Sequence, residues 1–280
     1  MRFQAFLFAC ALLLPTPALA WVQTYTCGDS GDPCKGNNQP LPTYWPKPCI
    51  SFQLNEKGTS AIPFEDVLGI TLTAIGTWNH PEISSLALNL AGLTNEDRIG
   101  YNPYTDENTN IIVFRDDDWY ESKTIMALTS VTYQNSTGKI FDADIEINTS
   151  NWPYGIYERD GAEVVDFQNT LTHELGHVFG LAHSDNINAT MFPYSSTGET
   201  NLRTLDEDDL RAIQAIYPPT GQQCKFNKYY FHKPPYGMTE APPQNSTCAA
   251  MPLKKRSGLP LLPCALGLIF FAYIRRKQTL

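Results

Sequence analysis

One stretch decides the fold of this chain: residues 173–183 read HELGHVFGLAH. His173 and His177 are four residues apart, so on a helix they project from the same face. Glu174 lies beside them. Gly180 allows the chain to turn sharply out of the helix, and His183 can then return to the same place. The stretch therefore predicts a helix that ends at a glycine turn and carries three converging imidazoles.

Three neutral imidazoles around one ion are typical of a catalytic zinc site, because they leave a fourth position open for water. Zinc lowers the pKa of that water to about 7, and a neighbouring carboxylate can take its proton. We therefore assign His173, His177 and His183 as ligands of one catalytic zinc and Glu174 as the general base. A helix with surface histidines would explain a lone pair at this spacing. Five fixed positions, however, arise by chance in only about one chain in 10⁵.

The hydrophobic pattern around this stretch predicts a mixture of strands and helices. The helix of the histidines is expected over 166–180. A second helix opens at Pro63 and extends to Asn79, and a third is marked by a capping box from Thr204 to Glu207 and stops at Pro218. Strands are expected at 50–54, 84–90, 110–114, 125–133 and 140–147. The fold class is therefore α+β, a single domain over residues 21–220 with a twisted mixed sheet of about five strands and three helices.

Composition supports a folded domain and argues against one class of partner. The chain has 280 residues, of which 42% are hydrophobic and 18% charged, so it can form a substantial core. Its net charge is -9 and it has no basic stripe interleaved with aromatic residues. We expect no nucleic-acid partner and a monomeric protein.

The first twenty residues resemble a secretory signal peptide. Arg2 is followed by an apolar run and by the small-residue cleavage site Ala18-Leu19-Ala20. A membrane anchor is the alternative, but the run is shorter than the roughly 20 residues that span a bilayer. The mature chain is expected to begin at Trp21 and to be secreted or held at the cell surface.

Export makes disulfides the default state of the remaining cysteines outside the tail. After cleavage these cysteines are Cys27, Cys34, Cys49, Cys224, Cys248 and Cys264. Their spacing does not determine the pairing, although a bridge between the two ends of the domain is reasonable.

The C-terminal part differs in composition from the domain. Residues 221–257 are polar and proline-rich, and residues 258–280 contain an apolar run that ends in Arg275-Arg276-Lys277. Two interpretations stay open for this tail: a permanent membrane anchor, or a sorting signal that is removed or exchanged for an anchor. In both cases we expect it to lie outside the catalytic fold.

The histidine stretch resembles that of the metzincin clan of zinc endopeptidases, and within it the matrixin family that includes the matrix metalloproteinases. Met191, eight residues after His183, matches the clan's methionine turn. Ser184 and Pro193 favour the matrixin branch, as does the acidic run from Asp206 to Asp209.

The resemblance implies further roles. Pro193 and Tyr194 would help to form the wall of the S1′ pocket, and the strand at 125–133 would be the edge strand with which an extended polypeptide substrate pairs. Because matrixins also bind structural calcium, Asp142 and Asp144 are candidate calcium ligands. Some family features are missing: Ser195 stands where a tyrosine is usual, histidines for a second zinc are lacking, and Cys34 is read as a disulfide partner, not as a latency cysteine.

These observations predict a zinc-dependent metalloendopeptidase that hydrolyses internal peptide bonds of extended polypeptides outside the cytoplasm. Two rivals remain. A catalytically dead binding module on the same scaffold is disfavoured because Glu174 is retained. Hydrolysis of a non-peptide bond is disfavoured by the extended edge strand.

Overall fold

A computed structural model of the chain describes residues 20–26, 39–79, 82–104 and 108–220, together with the backbone of residues 269–270 and 272–279. The strands in these parts are β1 (Cys49–Asn55), β2 (Ala87–Thr94), β3 (Asn110–Phe114), β4 (Ala127–Gln134), β5 (Ile140–Ile147), β6 (Tyr154–Gly155), β7 (Val165–Asp166), β8 (Tyr194–Ser195), β9 (Ile269–Phe270) and β10 (Ala272–Thr279). The helices in the same parts are α1 (Phe64–Trp78), α2 (Tyr157–Asp160), α3 (Phe167–Val178) and α4 (Glu207–Ile216), with a 3-10 turn at Asn201–Arg203.

The main sheet is mixed, with the strand order β2-β1-β3-β5-β4-β10. β1 runs parallel to β2 and β3, and β3 runs parallel to β5. β4 is antiparallel to β5, and the loop between them turns at Gly138, whose φ is 75°. All five predicted strands lie in this sheet, so the predicted α+β fold with a mixed sheet is confirmed.

One strand is displaced from its predicted position at 84–90. It begins at Ala87 and continues to Thr94. The hydroxyl of Ser84 accepts a hydrogen bond from the backbone N–H of Leu86, at 3.0 Å, so these residues form a turn before the strand. The other four predicted strands differ by no more than two residues at either end.

Helices α1 and α3 pack against each other and against the sheet around a common core. Glu65 and Asp66 lie in the first turn of α1, where the helix dipole favours negative charge. At the other end of α1, the buried Trp78 donates its indole N–H to the carbonyl oxygen of Thr172, at 2.8 Å. Its ring centroid lies 5.2 Å from that of Phe179. These contacts fix α3, which carries the histidines, against α1.

The third predicted helix is present as α4, but the capping box expected at Thr204 is wrong. The helix begins at Glu207 with Asp206 as its N-cap, and the side chain of Asp206 accepts from the N–H of Asp208 at 3.0 Å. The carboxylate of Asp209 in turn accepts from the N–H of Asp206 at 2.8 Å. Aspartate accepts these bonds as well as serine or threonine does, so the reciprocal pair forms two residues later.

A fourth helix, α2, is found among the described residues in addition to the three expected. It consists of a single turn, which is too short to show a hydrophobic period in the sequence. Asp160 closes this turn by accepting a hydrogen bond from the N–H of Ile156 at 2.8 Å.

The residues before β1 run in an extended conformation across the loop that carries His183. The N–H of Thr24 donates to the carbonyl of Gly180, and the N–H of Ala182 donates to the carbonyl of Val22, both at 2.8 Å. Cys49, at the start of β1, is disulfide-bonded, as export predicts. The other cysteines and the proposed signal peptide, residues 1–19, lie outside the described residues.

The tail differs from the expectation that it lies outside the catalytic fold. The backbone of β10 pairs in parallel with β4, with Ile274 opposite Thr129, and β9 pairs with β8. The prediction that the strand at 125–133 is an edge strand is therefore wrong, because β10 occupies the edge beside β4. Residues 221–268 are outside the described part of the chain. No helix in the described part is long and apolar enough to cross a membrane.

Candidate metal centre

The three histidines predicted as metal ligands come together at the end of α3. One potential ligand atom from each of them lies within 4.8 Å of those of the other two. The ring centroids are 4.8 Å apart for His173 and His177, 4.9 Å for His177 and His183, and 5.4 Å for His173 and His183. His173 and His177 are fully buried, and His183 is half-buried.

The turn that brings His183 back depends on Gly180, as the sequence predicts. Gly180 has a φ of 86°, in the left-handed region that side chains disfavour. Its N–H donates to the carbonyl of His177 at 2.9 Å, and the N–H of Leu181 donates to that of Gly176 at 3.2 Å. This pair of bonds is the Schellman motif, which ends α3 and reverses the chain.

Hydrogen bonds to backbone carbonyls set the tautomers of two histidines. Nδ1 of His173 lies 2.6 Å from the carbonyl oxygen of Thr190, and Nδ1 of His177 lies 2.8 Å from that of Leu181. Because a carbonyl oxygen can only accept, each Nδ1 carries the proton and each Nε2 keeps its lone pair for a metal. Burial, followed by the neighbouring charge of His183, lowers the pKa of His173 to about 3, so this imidazole is neutral.

Glu174 lies in the same turn of α3 and is completely buried. Burial raises the pKa of its carboxyl to about 8, and a hydrogen bond from the hydroxyl of Thr129 opposes that rise. The bond joins Thr129 Oγ1 to Glu174 Oε2 at 2.6 Å. Oε1 is buried without a hydrogen-bond partner among the described residues. Glu174 therefore has one oxygen held by the protein and one that can exchange a proton.

These residues fit a bound divalent transition-metal ion. Neutral imidazole nitrogen is a ligand of the type such ions prefer, and the donors converge at one point. A cation there would also favour the ionised form of the buried Glu174. Among the described residues, this is the single group of three or more histidine, cysteine or carboxylate side chains close enough to hold one ion.

Met191, predicted to form a methionine turn, packs against α3 between the two helical histidines. It is buried, and a Cβ atom built on Gly176 would lie 2.1 Å from its sulfur. The carboxylate of Asp209 holds the turn by accepting from the N–H groups of Thr190 and Met191, at 2.7 and 3.1 Å. The same turn supplies the Thr190 carbonyl that orients His173.

Pro193 and Tyr194 follow Met191 after Phe192, and both are half-buried. Tyr194 lies in β8 with Ser195, whose hydroxyl is 3.3 Å from the side-chain nitrogen of Asn169 on α3. Ser195 also donates to Glu199 at 3.1 Å. The segment is thus attached to the same helix as the histidines, one turn before His173.

Asp142 and Asp144 lie apart from this centre, on β5, and both are buried. Asp144 accepts hydrogen bonds from the N–H groups of Gly100, at 2.6 Å, and Ile111, at 2.9 Å. Burial raises the pKa of Asp144 to about 6, despite these bonds. In this arrangement Asp144 connects the loop before β3 to β5.

The sequence did not reveal Thr129, Thr190 and Asp209 as part of the centre. Each acts across the fold: Thr129 is 45 residues from Glu174, and Asp209 is 19 residues from Thr190. No local motif links such pairs. The acidic run of α4 is visible in the sequence only as a feature of the family resemblance.

Comparison with known proteins agrees with this geometry. Residues 94–218 match the family model described as Matrixin. The chain is 39% identical to human matrilysin over 59 residues, which are 21% of this chain and 22% of matrilysin. It is 51% identical to human matrix metalloproteinase-15 over 51 residues, 18% of this chain and 8% of that protein. A plant relative, metalloendoproteinase 5-MMP of Arabidopsis thaliana, is 43% identical over 54 residues, 19% of this chain and 15% of the relative.

The chain thus spans less than a quarter of the length of each of these relatives. The matched segment nevertheless contains the three histidines, Glu174 and Met191. Residues 94–218 therefore form a matrixin-like domain.

Proposed function

We propose that the protein is a zinc-dependent endopeptidase that hydrolyses internal bonds of extended polypeptides. The observation that carries the proposal is the position of the buried Glu174 next to His173 on α3, where His173 and His177 converge with His183. A binding module that had lost activity would have no need for this buried carboxylate, because leaving a charge out of water is costly.

His173, His177 and His183 would hold the ion through Nε2. Zinc bound there would lower the pKa of a water to about 7 and polarise the carbonyl of the scissile bond. Glu174 would accept the proton of the attacking water and deliver it to the nitrogen of the leaving amine. The hydrogen bonds of Thr190 and Leu181 would keep the imidazoles of His173 and His177 oriented during these steps.

An extended substrate would pair with β4, the strand that carries Thr129 next to Glu174. One edge of β4 is paired with β5, and the other is paired with the backbone of β10. A substrate would take the position of β10 and form main-chain hydrogen bonds with β4. Pro193 and Tyr194, on the segment attached to α3, would line the pocket for the side chain that follows the scissile bond.

The proposal extends to location and to a second metal. Secretion or display at the cell surface rests on the signal-like residues 1–20, with the tail at 258–280 as a means of attachment. Calcium at Asp142 and Asp144 rests on the carboxylates of β5 and on the family resemblance.

The test is cleavage of a quenched peptide library by the purified protein, assayed as prepared, after a chelator, and after zinc is returned. We expect cleavage that the chelator abolishes and zinc restores. A zinc-loaded protein that cleaves no peptide would rule out the enzyme.

A further inference from the structure

Thr129 lies outside α3, on β4, and donates a hydrogen bond to the carboxylate of Glu174. Its hydroxyl donates to Oε2 at 2.6 Å and lies 3.2 Å from the backbone carbonyl of the same glutamate. Thr129 is completely buried, so water does not compete for this bond.

The position of Thr129 makes its hydroxyl a fixed point. Its backbone is paired on both sides, with Ile145 of β5 and with Ile274 of β10. Threonine is also branched at Cβ, which restricts rotation about χ1. The strand therefore holds the hydroxyl at a defined distance from α3.

Glu174 needs such a fixed point because a carboxylate on a flexible side chain can adopt several orientations. Rotation about its last torsion is broad, and it decides which oxygen faces the histidines. With Oε2 held by Thr129, Oε1 is left as the oxygen without a hydrogen-bond partner among the described residues. The bond thus determines which oxygen is available for proton transfer.

From this geometry we infer that Thr129 is a positioning residue that holds the carboxylate of Glu174 in the orientation needed for proton transfer. The inference rests on the proposed peptidase function. It predicts that loss of the hydroxyl lowers kcat and leaves substrate binding unchanged, because Thr129 acts through the base.

The decisive variants are Thr129→Val, which keeps the shape of the side chain and removes the hydroxyl, and Thr129→Ser, which keeps the hydroxyl. We expect Thr129→Val to lower kcat by about 10- to 100-fold with little change in KM, the range seen when residues that orient a metal site are replaced. Thr129→Ser should restore most of kcat.

A matched control separates positioning from stability. Thr71 in α1 is also completely buried, and its hydroxyl donates to the carbonyl of Val67 at 2.8 Å, within its own helix. Thr71→Val removes a buried hydroxyl of the same kind away from the site, so it should leave kcat unchanged. Zinc content and urea unfolding are measured for all three variants.

Crystal structures of the zinc-loaded variants give a readout that does not depend on activity. In Thr129→Val the Glu174 carboxylate should be rotated or present in two orientations, and in Thr129→Ser it should match the parent. The inference would be overturned by a wild-type kcat in Thr129→Val or by equal losses of kcat in both Thr129 variants. It would also be overturned by an unchanged orientation of the Glu174 carboxylate in Thr129→Val. If the parent protein cleaves no peptide, the proposed function fails, and the crystal structures still decide whether Thr129 positions Glu174.

Discussion

At the scale of single residues, the centre combines groups of opposite character in one buried turn. Burial and the charge of His183 keep His173 neutral, the form that binds metal. The same burial raises the pKa of Glu174, and the hydroxyl of Thr129 opposes it. The turn is therefore suited both to holding a cation and to moving a proton.

Asp209 links this centre to α4, and its substitution should have a pH-dependent effect. The carboxylate is buried and accepts three backbone N–H bonds, so Asp209→Asn should destabilise the protein by about 1–3 kcal/mol. Burial raises the pKa of Asp209 to about 6 from an ordinary value of 3.8. A raised carboxyl pKa means that the folded state binds the proton more tightly than the unfolded state does. The stability that this proton contributes is therefore fully present below the unfolded pKa of 3.8 and is lost as the pH rises through the folded pKa of about 6.

The measurement is urea unfolding of the metal-free parent and of Asp209→Asn at several pH values between 4 and 7. The difference in unfolding free energy between the two proteins should shrink as the pH rises. A difference that grows or stays constant would contradict the assignment.

Residues whose roles follow from local spacing could be predicted from the sequence. His173, Glu174, His177 and Gly180 share one helix end, so their relative positions follow from helix geometry. Thr129 could not be predicted in the same way. Its contact with Glu174 depends on how β4 packs on α3, and threonine in a buried strand has no signal that distinguishes it from its neighbours.

At the scale of elements, α3 holds the centre because of how it begins, packs and ends. Asp166 caps its first turn by accepting from the N–H of Asn169 at 2.9 Å. Gly180 ends it in a Schellman motif. The position of α3 was predicted closely because both ends carry strong local signals. The predicted start of α4 is two residues too early, because Asp206 and Asp209 form the capping box and Thr204 does not.

The middle of α3 tolerates no side chain at Gly176, which gives a second prediction. A Cβ there would lie 2.1 Å from the sulfur of Met191 and 2.9 Å from the Trp78 ring. Gly176→Ala should therefore destabilise the protein by about 1–3 kcal/mol through overpacking.

Gly76 in α1 is the matched control, since a Cβ there would meet nothing within 4 Å. Gly76→Ala should stabilise the protein by about 0.5–1 kcal/mol, because alanine has the higher helix propensity. Both variants are compared by urea unfolding. Similar changes in unfolding free energy for Gly176→Ala and Gly76→Ala would argue against the close packing of α3 on Met191.

At the scale of the whole molecule, the domain extends beyond the segment that matches the matrixin family. The match begins at residue 94, yet β1 lies inside the main sheet, between β2 and β3. Residues 22–24 pair with the loop that carries His183. The N-terminal part is thus integrated into the fold by these pairings. The course of the tail could not be predicted, because residues 272–279 join the end of the apolar run to Arg275-Arg276-Lys277 and lack the alternation typical of a strand.

The pairing of β10 with β4 predicts an effect of removing the tail. Residues 20–220 contain the main core, the three histidines and Glu174. A chain that ends at Thr220 should therefore fold and cleave peptides with a higher kcat/KM than the full chain, since β4 then has a free edge for substrate. Peptide cleavage by the two chains at equal zinc content is the measurement, and a lower kcat/KM in the shorter chain would contradict the pairing of substrate with β4.

The central claim is that the buried turn of α3 hydrolyses internal peptide bonds with Glu174 as the base. Its most direct test is digestion of peptides blocked at both ends by the parent protein and by Glu174→Gln, with zinc content matched and products identified by mass spectrometry. The account predicts internal fragments from the parent and a rate at least about 100-fold lower for Glu174→Gln. Equal cleavage by the two proteins, or no internal cleavage by the zinc-loaded parent, would contradict it.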